Sequence, residues 1–201
     1  EQLFSHILVA LSGEPQSWQA LEQASLLAQL ESANLLGLHV VSNRKDATGN
    51  AAMQVRQKFD AHCQQTDISG DFAIEVGDIT PTIVSRARWS DLVVVHLAHP
   101  PHQKGIRNIA PGFHRLVQRC PQPIMVVPKA MPSLHRLLLA YDGSPKSNEA
   151  LFISAYLAGK WGLPLTILIV LTGGRYPKKA VSRARWYLNT HRVIGDVHLG
   201  Y

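Results

Sequence analysis

Two residues with side chains able to bind a ligand stand at matched places in the chain. Ser12 follows an apolar run ending at Leu11, and Asp142 follows a similar run ending at Tyr141, 130 residues further on. A carboxylate can accept hydrogen bonds from sugar hydroxyls or from an exocyclic amine, and apolar neighbours can contact a base. The substitution of serine for aspartate indicates that the two places need not have the same function.

A purely structural role explains the same residues. Aspartate, glycine and serine in succession, as in Asp142-Gly143-Ser144, are the residue types favoured in a turn and at the N-cap of a following helix. The sequence alone leaves both interpretations of Asp142 open.

The matched residues belong to a longer repeat. Residues 5–41 align without insertion with residues 135–171, which predicts two homologous units, 1–128 and 134–201. A proline-containing stretch, residues 128–133, separates them as a linker. The second unit is predicted to hold only the first half of the fold, because it has no counterpart of the strand Leu92 to Val95 or of the elements that follow that strand.

A histidine-rich segment follows the fourth predicted strand. It contains His96, His99, His102 and His114, with Lys104, Arg107 and Arg115. These residue types would suit an anion site, a metal site or a pH-sensitive contact, and a solvated loop is the plainer alternative. No neighbouring carboxylate or cysteine completes a set of metal ligands, so no metal is predicted.

The apolar pattern predicts how these residues are positioned. In residues 1–128, five continuous apolar strands alternate with four helices, which is typical of a doubly wound parallel sheet covered on both faces. Ligands of such sheets bind beyond the carboxyl ends of the strands. The loops after Leu11, Val41 and Val95 are therefore the candidate site.

Composition restricts the class of protein. The chain has 201 residues, 46% of them hydrophobic, and its longest strongly apolar run is too short for a membrane-spanning helix of about 20 residues. Two separated cysteines favour reduced thiols in the cytoplasm. The net charge is +6, but lysine and arginine are spread along the chain, so no nucleic-acid partner is predicted.

Several motifs together resemble those of the universal stress protein family, in a tandem arrangement. They are Ala140-Tyr141-Asp142-Gly143-Ser144 with Ser147 and Ala150-Leu151, the turn Gly77-Asp78-Ile79-Thr80, the strand Asp91 to Val95, and Cys120 to Val127. The resemblance implies the strand order 3-2-1-4-5, self-association as a dimer through the last strand of the first unit, a cytoplasmic setting, and bound ATP or AMP without a defined reaction.

The resemblance also implies which residues would bind the nucleotide. In ATP-binding members an aspartate ends the first strand and a valine ends the second, which corresponds to Asp142, with Gly143 beside it, and Val170 in the second unit. The same positions in the first unit are Ser12 and Val40. The second unit is therefore the predicted adenine-nucleotide site.

The phosphate loop of that family begins with glycines and ends in a hydroxyl residue. Here His96 and His99 stand at the leading glycines and Pro111 at the hydroxyl position, so the first unit is predicted not to bind ATP. The corresponding loop of the second unit would follow Tyr201.

No sequence motif for catalysis is recognisable. The chain has no Gly-x-Ser-x-Gly elbow, no Walker-type loop and no His-Glu-x-x-His, which predicts a non-catalytic stress-response or regulatory protein and leaves weak ATP hydrolysis open. The alternative is a nucleotide-independent regulatory module, such as the cytosolic tail of a larger membrane transporter. The start at Glu1 and the short second unit motivate that alternative.

Overall fold

The first unit is built on short apolar segments that pair in parallel. The computed structural model describes residues 2–97, 111–128, 134–170 and 178–200. Contacts divide the chain into two units, Glu1–Met131 and Pro132–Tyr201. The strands of the first are β1 (His6–Ala10), β2 (Asn34–Val41), β3 (Gly70–Val76), β4 (Leu92–His96) and β5 (Ile124–Val127). Their order is β3-β2-β1-β4-β5, which confirms the predicted fold class.

Helices connect these strands. They are α1 (Ser17–Glu31), α2 (Arg44–Ala47), α3 (Asn50–Thr66), α4 (Ile79–Arg86), which continues into a 3-10 turn (Ala87–Trp89), and α5 (Pro111–Arg119). The sequence analysis missed α2, a single turn begun by Asn43, whose Oδ1 accepts the Asp46 N–H at 3.0 Å. Its four residues are too few to show a helical period. In the described parts of the chain, no helix has both the length and the apolar character that crossing a membrane requires.

The sheet of the first unit is covered on both faces. On one face Leu8 and Leu38 pack in a cluster with Ile83 of α4 and Leu116 of α5. The opposite face carries α3, whose Phe59 is fully buried. Helices α1 and α3 are joined by a hydrogen bond of 2.7 Å between Ser25 Oγ and His62 Nε2. The predicted two-sided burial of the strands follows from this arrangement.

Gly37 allows α3 to approach β2 closely. A Cβ at this position would lie 2.4 Å from Cδ2 of Phe72 and 2.8 Å from Cε2 of Phe59. These two rings pack together with centroids 5.1 Å apart. A side chain at position 37 would therefore displace the buried pair of Phe59 and Phe72.

We expect Gly37→Ala to destabilise the protein by about 1–3 kcal/mol, the usual cost of overpacking a filled core. The matched control is Gly159→Ala in the second unit, where the nearest atom to a new Cβ is Val193 Cγ2 at 3.8 Å. That change should be neutral or stabilising by up to about 1 kcal/mol. Urea unfolding measures both, and equal stability of Gly37→Ala and the wild type would contradict the packing argument.

The second unit alternates three strands with two helices. Its elements are β6 (Leu137–Tyr141), α6 (Pro145–Trp161), β7 (Leu165–Val170), α7 (Lys178–His191) and β8 (Gly195–Gly200). The strands form a parallel sheet of order β6-β7-β8. Apolar side chains such as Leu139, Ile167 and Ile169 are buried against α6 and α7. The alternate residue Leu138 is 70% exposed.

Candidate functional site

The loops after β1 and β6 have the same local structure. Ser12 Oγ accepts the N–H of Glu14 at 3.3 Å, and Asp142 Oδ1 accepts the N–H of Ser144 at 2.9 Å. The glycine that follows has a positive φ in both loops, 89° at Gly13 and 80° at Gly143. Glycine adopts this conformation without strain, so each loop closes as a side-chain-stabilised turn.

The N-cap of α6 is Ser144 and not Asp142. Ser144 Oγ accepts the N–H of Ser147 at 3.2 Å, and the helix begins at Pro145. Asp142 therefore lies one turn ahead of the helix, exposed at the carboxyl end of β6. One carboxylate oxygen stabilises the turn while the group as a whole still faces solvent, so the structural and the ligand-binding interpretations are compatible.

Hydrogen bonds keep the Asp142 carboxyl ionised. The Ser144 hydroxyl, then the Ser144 N–H and the Ser147 hydroxyl, lower the pKa of Asp142 to about 2. Donors that bind the charged form favour it over the neutral acid. At neutral pH this group is an anionic acceptor, suited to hydroxyl or amine donors and unfavourable for a phosphate.

The pKa of Asp142 can be tested in solution. In a carboxyl NMR titration we expect its midpoint near 2. Ser144→Ala should raise that pKa towards the ordinary value of about 3.9, because the mutation removes the principal donor. Ser154→Ala is the control, since the Ser154 hydroxyl bonds to the Ala150 carbonyl inside α6. A wild-type midpoint near 4, or equal effects of the two mutations, would contradict this account.

Ser12 lies at a cleft of about 750 Å³ between α1 and α3. Inside it His39 is only 8% exposed, and its Nδ1 lies 2.7 Å from the carbonyl oxygen of Leu11. A carbonyl only accepts, so Nδ1 carries a proton and donates, and in the neutral ring Nε2 is an acceptor. Lys58 Nζ lies 4.1 Å from the centroid of the Trp18 ring, a cation–π contact at the wall of the cleft.

The structure separates the residues predicted for the first unit. Val40 packs with the cluster on the α4 and α5 face and does not line the cleft that contains Ser12. His96 is the last residue of β4 and pairs with Val127 of β5. His99 and the rest of residues 98–110 lie outside the described residues. In the second unit, Val170 ends β7 and pairs with Gly200.

Sequence reasoning missed most residues of the cleft. Among them are His39, Trp18 and Gln19, whose Oε1 is buried without a hydrogen-bond partner in the described part of the chain. The sequence did mark His39, because a histidine interrupts an otherwise apolar strand. No local pattern marks Trp18 and Gln19, because the cleft forms only when α1 meets α3.

Within the described ranges, no group of three or more histidine, cysteine, aspartate or glutamate side chains could hold a metal ion. Cys63 is buried, and burial, together with nearby Asp60, raises the pKa of its thiol to about 11. A thiol with so high a pKa is a poor nucleophile at neutral pH. Cys63 is therefore a core residue.

The strand order and the helices on both faces define a doubly wound α/β protein. Residues 3–128 match the model of the Universal stress protein family. The chain belongs to this family. No curated protein matches the chain.

Several solved structures share the fold. A universal stress protein from Archaeoglobus fulgidus has 17% identity and a TM-score of 0.78, with 97% of this chain and 77% of that chain covered. The protein PA1789 from Pseudomonas aeruginosa, described as functionally unknown, has 16% identity and a TM-score of 0.69 over 98% of this chain and 74% of that one. A universal stress protein in complex with cAMP has 15% identity and a TM-score of 0.52, covering 63% and 98%.

Proposed function

We propose that this protein is a tandem universal stress protein of the cytoplasm, with units 1–128 and 134–201, and that the second unit binds an adenine nucleotide such as ATP or AMP in a non-catalytic regulatory role. The observation that carries the proposal is the exposed, ionised carboxylate of Asp142 at the carboxyl end of β6. The first unit has Ser12 at the equivalent place.

The position of Asp142 suits the sugar or amine end of a nucleotide. Tyr141 pairs with Ile169, so the residues that follow in each strand, Asp142 and Val170, lie at neighbouring strand ends. The carboxyl edge of a parallel sheet is the usual place for a ligand in this architecture. The cAMP complex of a structural neighbour supports adenine nucleotides as the ligand class.

The first unit is proposed not to bind the nucleotide. Ser12 offers no anionic acceptor, and His96 stands where the family has a glycine that lets the phosphates approach. Its cleft also presents Glu14 and Glu22, whose carboxylates would repel a triphosphate. The proposal therefore predicts that nucleotide binds to the second unit and not to the first.

Replacing Asp142 with the residue of the first unit tests this proposal. We expect Asp142→Ser to weaken ATP and AMP binding about tenfold or more, because a hydrogen bond to a charged group is worth roughly 1.5–3 kcal/mol. Asp196→Ser removes another exposed carboxylate of the same unit and should leave the affinity unchanged. Isothermal titration calorimetry measures the dissociation constants.

Ser12→Asp in the Asp142→Ser background completes the comparison, and we expect it to restore no binding because His96 remains. Wild-type protein that binds neither nucleotide would refute the proposal, as would tight binding that survives Asp142→Ser. If the wild type released ADP from ATP faster than the Ser12→Asp/Asp142→Ser variant, the proposed non-catalytic role would be wrong.

Self-association through β5 is the second part of the proposal. β5 is an edge strand, and the carbonyls of Pro123 and Val127 accept the N–H groups of Val93 in β4 and of Leu97 just after it, at 3.0 and 3.1 Å. Backbone groups alternate in direction along a strand, so Ile124 and Val126 direct theirs away from β4. That free edge is available to a second copy of the strand.

Val126→Pro should convert the dimer to a monomer in light scattering, because it removes an outward N–H without removing a bond to β4. Val126→Ala controls for the loss of side-chain packing against the neighbouring cluster and should stay dimeric. A monomeric wild type, or a dimeric Val126→Pro variant, would argue against this interface.

A further inference from the structure

A basic concave surface lies between α4 and α5 of the first unit. Its volume is about 280 Å³, and besides Pro81 it is lined by Thr80, Val84, Ser85, Arg88, Arg115 and Arg119. We refer to it as the arginine groove. On α4 and its 3-10 turn the lining residues recur every four positions from Thr80 to Arg88, and on α5 Arg115 and Arg119 are also four apart. Each helix therefore contributes one face.

The walls of the arginine groove are fixed by the fold. Thr80 Oγ1 donates a hydrogen bond of 3.2 Å to the carbonyl of Gly112, which joins the first turns of the two helices. Beneath the groove Ile83 and Leu116 are buried in the same apolar cluster. The spacing between the helices is thus set before any ligand arrives, which lowers the cost of binding.

The three arginines of the groove have no carboxylate partner among the described residues. The one arginine ion pair among the described residues joins Arg86 to Glu75 of β3. None of the residues that line the groove is acidic. Two like charges four residues apart on a helix repel each other, so Arg115 and Arg119 slightly destabilise α5 unless an anion lies between them.

We propose that the arginine groove binds the phosphoryl group of a small phosphorylated molecule. Guanidinium groups form paired hydrogen bonds to phosphate oxygens, and three of them converge here. The Ser85 hydroxyl is available as a further donor, whereas the Thr80 hydroxyl already donates to Gly112. The groove is at the lower end of ligand pockets, which span roughly 300–1,000 Å³, so it suits a phosphate or diphosphate better than a whole nucleotide.

This site is separate from the nucleotide proposed for the second unit. It uses none of Asp142, Gly143 or Val170, and its helices belong entirely to the first unit. A simpler role for two of the arginines is to stabilise helix carboxyl ends, since Arg88 lies within the 3-10 turn that follows α4 and Arg119 ends α5. Arg115 lies in the middle of α5 and has no such role.

Calorimetric titration of the full chain with inorganic pyrophosphate tests the proposal. We expect one binding site on the wild type and a loss of affinity of about tenfold or more in the Arg115→Gln/Arg119→Gln variant. The matched control is Arg44→Gln/Lys45→Gln, which removes two exposed charges from α2 and should keep the wild-type affinity. Arg115→Lys should fall between, because lysine keeps the charge without the paired donors.

The outcomes separate the alternatives. The proposal fails if pyrophosphate does not bind, or if both double variants weaken binding equally, which would mean general charge attraction. It also fails if the arginine variants lower only the melting temperature, as expected of helix-end stabilisation alone. A single-stranded oligonucleotide that binds through the same arginines and is not displaced by pyrophosphate would replace it with a nucleic-acid surface, given the exposed Trp89 beside Arg88. Asp142→Ser should leave pyrophosphate binding intact, so this test and that of the nucleotide site can fail independently.

Discussion

The first unit depends on a strand that is hydrogen-bonded on both sides. Ile7 of β1 aligns with Leu35 of β2 on one side and with Leu92 of β4 on the other. Asp91 fixes the start of this arrangement, because its Oδ2 accepts the N–H groups of Ser5 and His6 at 2.9 Å each. All the strands run in one direction, so their carboxyl ends, and every candidate ligand site there, lie along the same edge of the sheet.

Burial of two aligned leucines differs between the units because their neighbours differ. Leu138 aligns with Leu8 in the sequence at an offset of 130 residues, yet Leu8 is 2% exposed and Leu138 is 70% exposed. The residue type and the strand are the same. The difference in exposure comes from the neighbouring elements. In the first unit α4, β4 and α5 supply side chains to the cluster around Leu8. In the second unit the described residues pack against β6 from the face that carries α6 and α7. The two aligned leucines thus lie in similar strands but in different packing environments.

Strands and helices could be predicted where consecutive residues form a regular apolar pattern. The apolar pattern predicted five strands alternating with helices in the first unit, and the resemblance supplied the strand order, which the pattern alone does not determine. The helix α2 was missed because its one turn depends on a local hydrogen bond to Asn43.

The candidate sites were less predictable for a physical reason. Asp142 could be identified from the sequence because it aligns with Ser12 at an offset of 130 residues. The arginine groove joins Arg88 and Arg115, which are distant in sequence and meet only when α4 packs against α5. His39 was readable as an exception in an apolar strand, but its bond to the Leu11 carbonyl required the register of β1 and β2.

The charges of the two proposed sites explain why they are distinct. A carboxylate with a pKa of about 2 stays negative across the physiological range, so Asp142 would contact the donor end of the proposed nucleotide and would repel its phosphates. Any phosphate contact must come from a different element with donors of its own. In the first unit such donors lie on helices α4 and α5, where guanidinium groups have no competing carboxylate in the groove. Exchange of Ser12 and Asp142 alone would therefore not make the units equivalent, because the donor-binding and anion-binding groups belong to different parts of the fold.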